Sequence, residues 1–339
     1  MGDRMTTLDP APRVTVVMPT YRRPEMLREA LGSAVAQTLR DLEILVCDNA
    51  DDPAARQVVE SFADDRITYL GRPENLGMIG NALDGFRRAR GEFVIKLDDD
   101  DAFEPDALAT MLAGFDDRPD VTASFCDLRL VDVHGQTLAA DTEQVQRDTH
   151  RAELAPGLHQ PFSGLAAQGA VSLSGSLLRR ASIDWDRVPE QAGTSYDLYL
   201  TMAAARGGAA AWYTKRPLVR YRIHGANDSV KNVVPSLEAS QWILQDAQAS
   251  GQHGDREVMR QRIAQDDARL AREYLLRGDT GRCRRSALAS LRVRPTPGAA
   301  ATLVLGSLPR RLGTRISQRR REAYLGASAP TATAPTPDH

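Results

Sequence analysis

From Val14 to Cys126, short apolar runs alternate with stretches whose apolar residues recur at helical spacing. This is the pattern of strands and helices alternating around a mostly parallel sheet. Four runs read as strands: Val14 to Met18, Leu42 to Cys47, Ile67 to Leu70 and Phe93 to Leu97, with the first, second and fourth buried on both faces. Helices are expected between them. One opens at Pro24, a residue suited to a first helical turn, and carries Met26, Leu27, Ala30, Leu31, Ala34 and Val35 on one side. Another carries Met78, Ile79, Ala82, Leu83 and Phe86 and ends in Arg87-Arg88-Ala89-Arg90, where cations favour a helix C-terminus, just before Gly91.

Beyond Asp101 the alternation stops. The pattern predicts a helix from Pro105 to Phe115, a strand from Val121 to Cys126, and a hairpin from Leu128 to Ala139 turning at His134-Gly135. Asp141 to Gln168 is polar and without sustained periodicity, so it reads as a long loop, a candidate lid on the acceptor side. Val171 to Arg179 resumes strand character, and Tyr196 to Arg206 reads as a helix stopped by Gly207-Gly208. Trp212 to Arg222 is an extended, partly basic segment. From Ser236 to about Leu291 the chain is helical and charge-rich, and 326–339 is a Pro/Thr/Ala tail expected to be disordered.

Composition narrows the class. The 339 residues, 42% hydrophobic and 26% charged, are ordinary for a globular protein and suggest one large domain with an appendage. A net charge of -2 gives no whole-chain reason to expect nucleic acid. Three scattered cysteines suggest neither a disulfide framework nor a zinc site, and a reducing cytoplasm fits them. The first twelve residues lack the apolar core of a signal peptide, and no stretch has the length of a membrane span.

The acidic run Asp98-Asp99-Asp100-Asp101 directly follows a buried strand. Four adjacent carboxylates repel one another, so they need solvent, a cation or both, and the C-terminal edge of an open α/β sheet is where ligands bind. Mg²⁺ or Mn²⁺ would accept oxygen ligands there and share them with substrate phosphates. A solvated turn capping the next helix is the plainer reading. Three further clusters fall after neighbouring strands: Pro19-Thr20-Tyr21-Arg22-Arg23, Asp48-Asn49 and Asn75-Leu76-Gly77. Each could be a cap or an Asx-turn on its own, but their coincidence at one edge favours a ligand site.

These residues resemble family 2 glycosyltransferases of the GT-A fold, of the bacterial glycan-biosynthesis type. The resemblance is carried by Val-Thr-Val-Val-Met-Pro-Thr-Tyr-Arg-Arg-Pro at 14–24, Ala36-Gln37-Thr38, Glu43 to Asn49, Asn75-Leu76-Gly77, and Leu97 to Asp101 followed by Pro105-Asp106. It implies a Rossmann-like sheet flanked by helices, with a helical C-terminal appendage. It implies too that Pro19, Thr20, Tyr21, Arg23, Asp48 and Asn75 hold a nucleotide, UDP or dTDP, together with Asp98 and Asp99. Asp100 is the implied principal metal ligand. The implied reaction is an inverting transfer from a nucleotide-sugar donor to a hydroxyl acceptor in a glycan or on a lipid carrier.

Such a reaction needs a carboxylate to take the acceptor proton and a positive centre to steady the leaving diphosphate. Asp197, at the start of a predicted helix, is the candidate base. The family often shows Glu-Asp-x-Asp-Leu here, and Thr194-Ser195 stand in place of the acidic pair. Gly175, within Ser174-Gly175-Ser176, matches the family's glycine loop against the donor sugar, or marks a bulge. His224, ending Tyr221-Arg222-Ile223-His224, resembles a histidine that completes the metal site or contacts the diphosphate, beside two arginines, Arg220 and Arg222, suited to phosphate. His134 is expected to do no more than occupy a turn.

The expected organisation is an N-terminal extension (1–12), a catalytic domain (13–232) with a nucleotide-binding half (13–127) and an acceptor half (128–232), a helical region (233–325) and the tail (326–339). Arginines between Leu303 and Tyr324 would suit peripheral contact with an anionic membrane, although a plain solvated basic face explains them equally well. Two other functions share the features: a sugar-nucleotide-binding protein with weakened catalysis, and a sugar nucleotidyltransferase. The second would need a triphosphate loop that the sequence does not display.

Overall fold

The computed structural model describes residues 11–224 and 233–308. A mixed nine-stranded sheet runs in the order β3-β2-β1-β4-β8-β6-β9-β5, with β7 paired to β9. Its first half is parallel, as the alternating pattern requires: β1 (Val14–Thr20), β2 (Leu42–Asp48), β3 (Ile67–Gly71) and β4 (Phe93–Lys96) are joined by α1 (Pro24–Val35), α2 (Pro53–Glu60) and α3 (Gly77–Arg88). β1, β2 and β4 are covered on both faces; Leu27, Ala30, Leu31 and Ala34 of α1 belong to the core beneath them. On the other face α3 comes so close that a Cβ added at Gly85 would lie 2.6 Å from Val17 Cγ1 and 2.7 Å from Cys47 Sγ.

The second half, where the alternation stops, mixes strand directions. β8 (Ser176–Arg179) runs antiparallel between β4 and β6 (Val121–Val131), and β6 then pairs in parallel with β9 (Ala210–Arg222). Two reversals restore direction, so the C-terminal end of β6 lies at the same sheet edge as the ends of β1 and β4. The two-residue strand β5 (Ala102–Phe103) is folded onto β9 directly after the acidic run. Its brevity hid it from the periodicity.

Three local expectations are corrected. Residues 141–168 are not a long loop: α5 (Ala139–Asp148), β7 (Gly157–His159) and α6 (Ser163–Ala167) occupy them. α5 buries no residue fully, but Val145 leans on the core, a contact too sparse to create a recognisable stripe. The predicted hairpin at 128–139 is a long β6 followed by a turn and a single bridge, Val131 to Thr137. The strand expected from Val171 starts only at Ser176, because Leu173–Gly175 form a 3₁₀ turn. The helix α4 (Ala107–Leu112) and its 3₁₀ extension to Phe115 agree with the pattern, as does α7 (Tyr196–Ala204).

The chain packs as two units, one through Met259 and one from Arg260. α8 (Val233–Ser250) falls in the first, past the boundary drawn at residue 232 from sequence. α9 (Arg256–Leu276) leads into the second, where α10 (Thr280–Val293) and α11 (Pro297–Ser307) pack together around Cys283. All three cysteines are buried and unpaired by disulfides. Among the described residues no helix is long and apolar enough to cross a membrane. The arginines after Pro309, the N-terminal extension up to Pro10 and the C-terminal tail lie outside the described residues.

Candidate active site

At the C-terminal edge of the parallel strands four loops meet and are stitched together. Thr20, ending β1, donates its hydroxyl to Asp99 Oδ2 at 2.7 Å. Arg23 reaches Asp99 Oδ1 at 3.3 Å and Asp100 Oδ2 at 3.2 Å, so the first loop grips the acidic run with a hydroxyl and a guanidinium. Asn49 donates from its backbone to Thr20 O (3.0 Å) and from Nδ2 to Asn75 Oδ1 (2.7 Å), and it accepts from the Leu76 amide (2.8 Å). Asn75 also accepts from Gly77, whose φ of 73° lets the chain turn into α3. Pro19 stands opposite Cys47 in the ladder, and Tyr21 is left 42% exposed beside these loops.

Asp48 is fully buried. Its carboxylate accepts from the amides of Ala50 (3.0 Å) and Asp52 (2.6 Å) and from the Tyr69 hydroxyl (2.6 Å), an Asx-turn that presents Asn49. Sequence singled out Asp48-Asn49 but passed over Tyr69, whose role comes from distant partners.

The acidic run is not uniformly solvated. Asp99 and Asp101 are buried, and burial pushes Asp99 up to about 6, opposed by the Thr20 hydrogen bond and reinforced by Asp100. Burial, with Asp98 and Asp100 adding to it, raises Asp101 well above the carboxylate range; its Oδ1 accepts from the Arg222 amide at 2.9 Å. His224 Nε2 lies 2.7 Å from Asp100 Oδ2. The expectation of two phosphate-binding arginines there is corrected. Arg222 spends its guanidinium on Asp100 O (2.9 Å), Asp132 O (3.2 Å), Val133 O (3.3 Å) and Glu29 Oε2 (2.7 Å), and Arg220 leans on Glu29 at 3.6 Å. Arg222 therefore clamps the run to α1 and the 132–135 turn, because a buried fork must satisfy its donors locally. His134 sits in that turn, its amide held by Asp132 Oδ1, as expected.

Asp100 and His224 thus bring one carboxylate and one imidazole to a single point. Among the described residues no group of three or more His, Cys, Asp or Glu is arranged to hold a metal ion. Two protein donors do fit a hard divalent cation that takes its remaining ligands from phosphates and water, rather than one enclosed by protein.

Asp197 reaches the same edge from α7. Its side chain is 42% exposed, its Oδ2 lies 3.4 Å from Lys96 Nζ, and its Oδ1 is buried without a hydrogen-bond partner among the described residues. Burial raises its pKa and the Lys96 charge opposes the rise. Lys96 itself, the last residue of β4, also contacts Asp98 Oδ2 at 3.1 Å. A lysine inside an otherwise apolar run was the one visible signal of this link. Ser174 donates to the same Asp98 oxygen at 3.3 Å, which brings the glycine turn onto the acidic run. Gly175 is buried, and a Cβ there would meet Leu128 Cδ2 of β6 at 2.8 Å, so a side chain would have to displace Leu128. Thr194 and Ser195 turn away from the edge toward α8: Thr194 Oγ1 meets Ser236 Oγ and Ser195 Oγ donates to Ser236 O, both at 2.8 Å.

A sheet whose strand ends gather carboxylates, a clamping arginine and a histidine beside a second carboxylate on a facing helix has the architecture of a GT-A glycosyltransferase. The GlcNAc-donor complex of S. aureus TarS, residues 1-349 with UDP-GlcNAc, superposes with a TM-score of 0.63 over 93% of this chain and 92% of that one, at 15% identity. A mannosyltransferase from Pyrobaculum calidifontis, solved with GDP-Man and Mn²⁺, gives 0.56 over 94% and 87%, at 20% identity. Residues 15–166 match the family model "Glycosyl transferase family 2". The chain is 38% identical over 104 residues to a Campylobacter jejuni GalNAc(5)-diNAcBac-PP-undecaprenol beta-1,3-glucosyltransferase, covering 30% of this chain and 34% of that protein. A putative glycosyltransferase of Bacillus subtilis, EpsH, is 27% identical over 219 residues, or 63% and 61%. The chain therefore spans between a third and three fifths of these relatives.

Proposed function

We propose that the protein transfers a sugar, with inversion, from a UDP- or dTDP-sugar to a hydroxyl acceptor in bacterial glycan synthesis. The observation that carries this reading is the meeting, at one sheet edge, of the Thr20–Arg23–Asp99–Asp100 lattice with Asp197 from α7. In this reading the loops at Pro19–Tyr21, Asp48–Asn49 and Asn75 seat the base and ribose, with Asp98 and Asp99 beside them. The glycine turn at Gly175 borders the donor sugar. Asp100 and His224 would hold Mg²⁺ or Mn²⁺, which when bound neutralises charge on the departing diphosphate.

The protein's own part is to orient donor and acceptor and to move one proton. Asp197 accepts the proton of the acceptor hydroxyl as its oxygen bonds to the anomeric carbon and the bond from that carbon to the diphosphate oxygen breaks. The C. jejuni name suggests a lipid-linked acceptor, and the TarS complex with UDP-GlcNAc suggests a UDP-sugar donor. Peripheral membrane contact would bring such an acceptor within reach.

The test is nucleoside diphosphate release from a panel of UDP-, dTDP- and GDP-sugars with and without Mn²⁺, scored with hydroxyl acceptors, and with the product anomer assigned by NMR. Asp100→Ala is expected to lower turnover by about 10²-fold or more. Wild-type rates from that variant under chelation would overturn the mechanism. A second reading, donor binding without transfer, is favoured by Thr194 and Ser195 being committed to Ser236 where the family has acids. Saturable donor binding with no hydrolysis or transfer would establish it.

A further inference from the structure

Lys96 is 6% exposed at the end of a strand whose other residues are Phe93, Val94 and Ile95. An apolar side chain would fill that place without removing an ammonium from water, a removal that only well-placed acceptors offset. An ammonium has three donors, and three oxygens surround this one: Asp98 Oδ2 at 3.1 Å, Tyr196 Oη at 3.3 Å and Asp197 Oδ2 at 3.4 Å. Two of the three come from α7, a hundred residues away in the chain, and the third belongs to the acidic run. We propose that Lys96 is a positioning residue: it holds Asp197 by Oδ2 at a fixed separation from Asp98, and so sets the acceptor side of the site against the donor side. The inference rests on reading Asp197 as the base.

The geometry gives each contact a distinct task. The Tyr196 hydroxyl occupies one of the ammonium's three directions, which leaves the other two for the carboxylates. Ser174 donates to the same Asp98 oxygen, so Lys96 is anchored to a carboxylate oxygen that a second donor also holds. The net effect of the surrounding groups agrees: burial pushes Lys96 down, but Asp197, Asp98 and Tyr196 outweigh it, and its pKa lies well above the ordinary lysine value. Removing the ammonium would leave Asp98 and Asp197 as like charges without a bridge, and Asp197 would turn toward solvent.

The experiment compares the full chain with Lys96→Met and Lys96→Arg, using whichever nucleotide sugar the wild type turns over fastest. Lys96→Met is expected to lower kcat by about 10²-fold, the scale of a displaced general base, with donor KM changed by less than about threefold. Lys96→Arg, which keeps the charge, should recover at least about a tenth of wild-type kcat. Lys96→Gln serves the same comparison if Lys96→Met does not accumulate as folded protein. A wild type that turns over no nucleotide sugar would sink the functional reading, but the Lys96 contact is still read by thermal unfolding. Lys96→Met then lowers Tm, and adding Asp197→Asn restores part of the loss. A folded variant with wild-type kcat, a loss falling wholly on donor KM, or strictly additive Tm changes in the Lys96–Asp197 pair would overturn the proposal.

Discussion

Asp197, the proposed base, illustrates how surroundings tune a carboxylate. It lies in the first turn of α7, where helix dipole and Lys96 favour the ionised form while burial disfavours it, and burial wins. A base with a raised pKa is protonated, and idle, over a wider acidic span. The acid limb of kcat/KM should therefore fall above the ordinary aspartate value of about 4, with activity lost as pH drops through it. Asp197→Asn should remove that limb and lower kcat by about 10²- to 10⁴-fold, measured by diphosphate release across pH. An unchanged limb in the variant would place the base elsewhere. At this scale the sequence was a fair guide to residue type and a poor guide to direction. Thr20, Arg23 and Asn75 are where motif order put them, whereas Arg222 looked like a phosphate ligand and instead ties carbonyls and Glu29 together. A side chain's aim is decided by neighbours brought in from elsewhere, and spacing carries no record of them.

Among elements, legibility tracked how much of each segment is buried. β1, β2 and β4 are enclosed on both faces, and α1 lays a full apolar stripe on the core, so hydrophobic periodicity disclosed them all. α5 has no fully buried residue and β5 is two residues long, and neither leaves a pattern. The α3–sheet contact shows how tightly the disclosed elements fit. Gly85 sits where any Cβ would press on Val17 and Cys47. Gly85→Ala gains helix propensity but overpacks this seam, so a net loss of about 1–3 kcal/mol is expected in chemical unfolding. A stabilised variant would mean that α3 can shift away without cost.

For the molecule as a whole, ligand and stability are linked. UDP or dTDP at about a hundredfold its Kd should stabilise the chain by about 2.7 kcal/mol, seen as a rise in Tm. GDP should give a smaller rise, and chelating divalent cations should shrink the UDP effect, since in the proposed reading diphosphate and cation would share the Asp100–His224 corner. Equal shifts with all three nucleotides would show that the loops around Asn49 and Asn75 do not select the base. The cysteines add a practical consequence. Burial pushes Cys47 and Cys126 up to about 12 and raises Cys283 as well, so none presents a thiolate near neutrality. The folded chain should be silent toward maleimides and slow to oxidise. A single cysteine introduced on an exposed face would then be the sole handle for a fluorescent or spin label, with no need to strip the native thiols first.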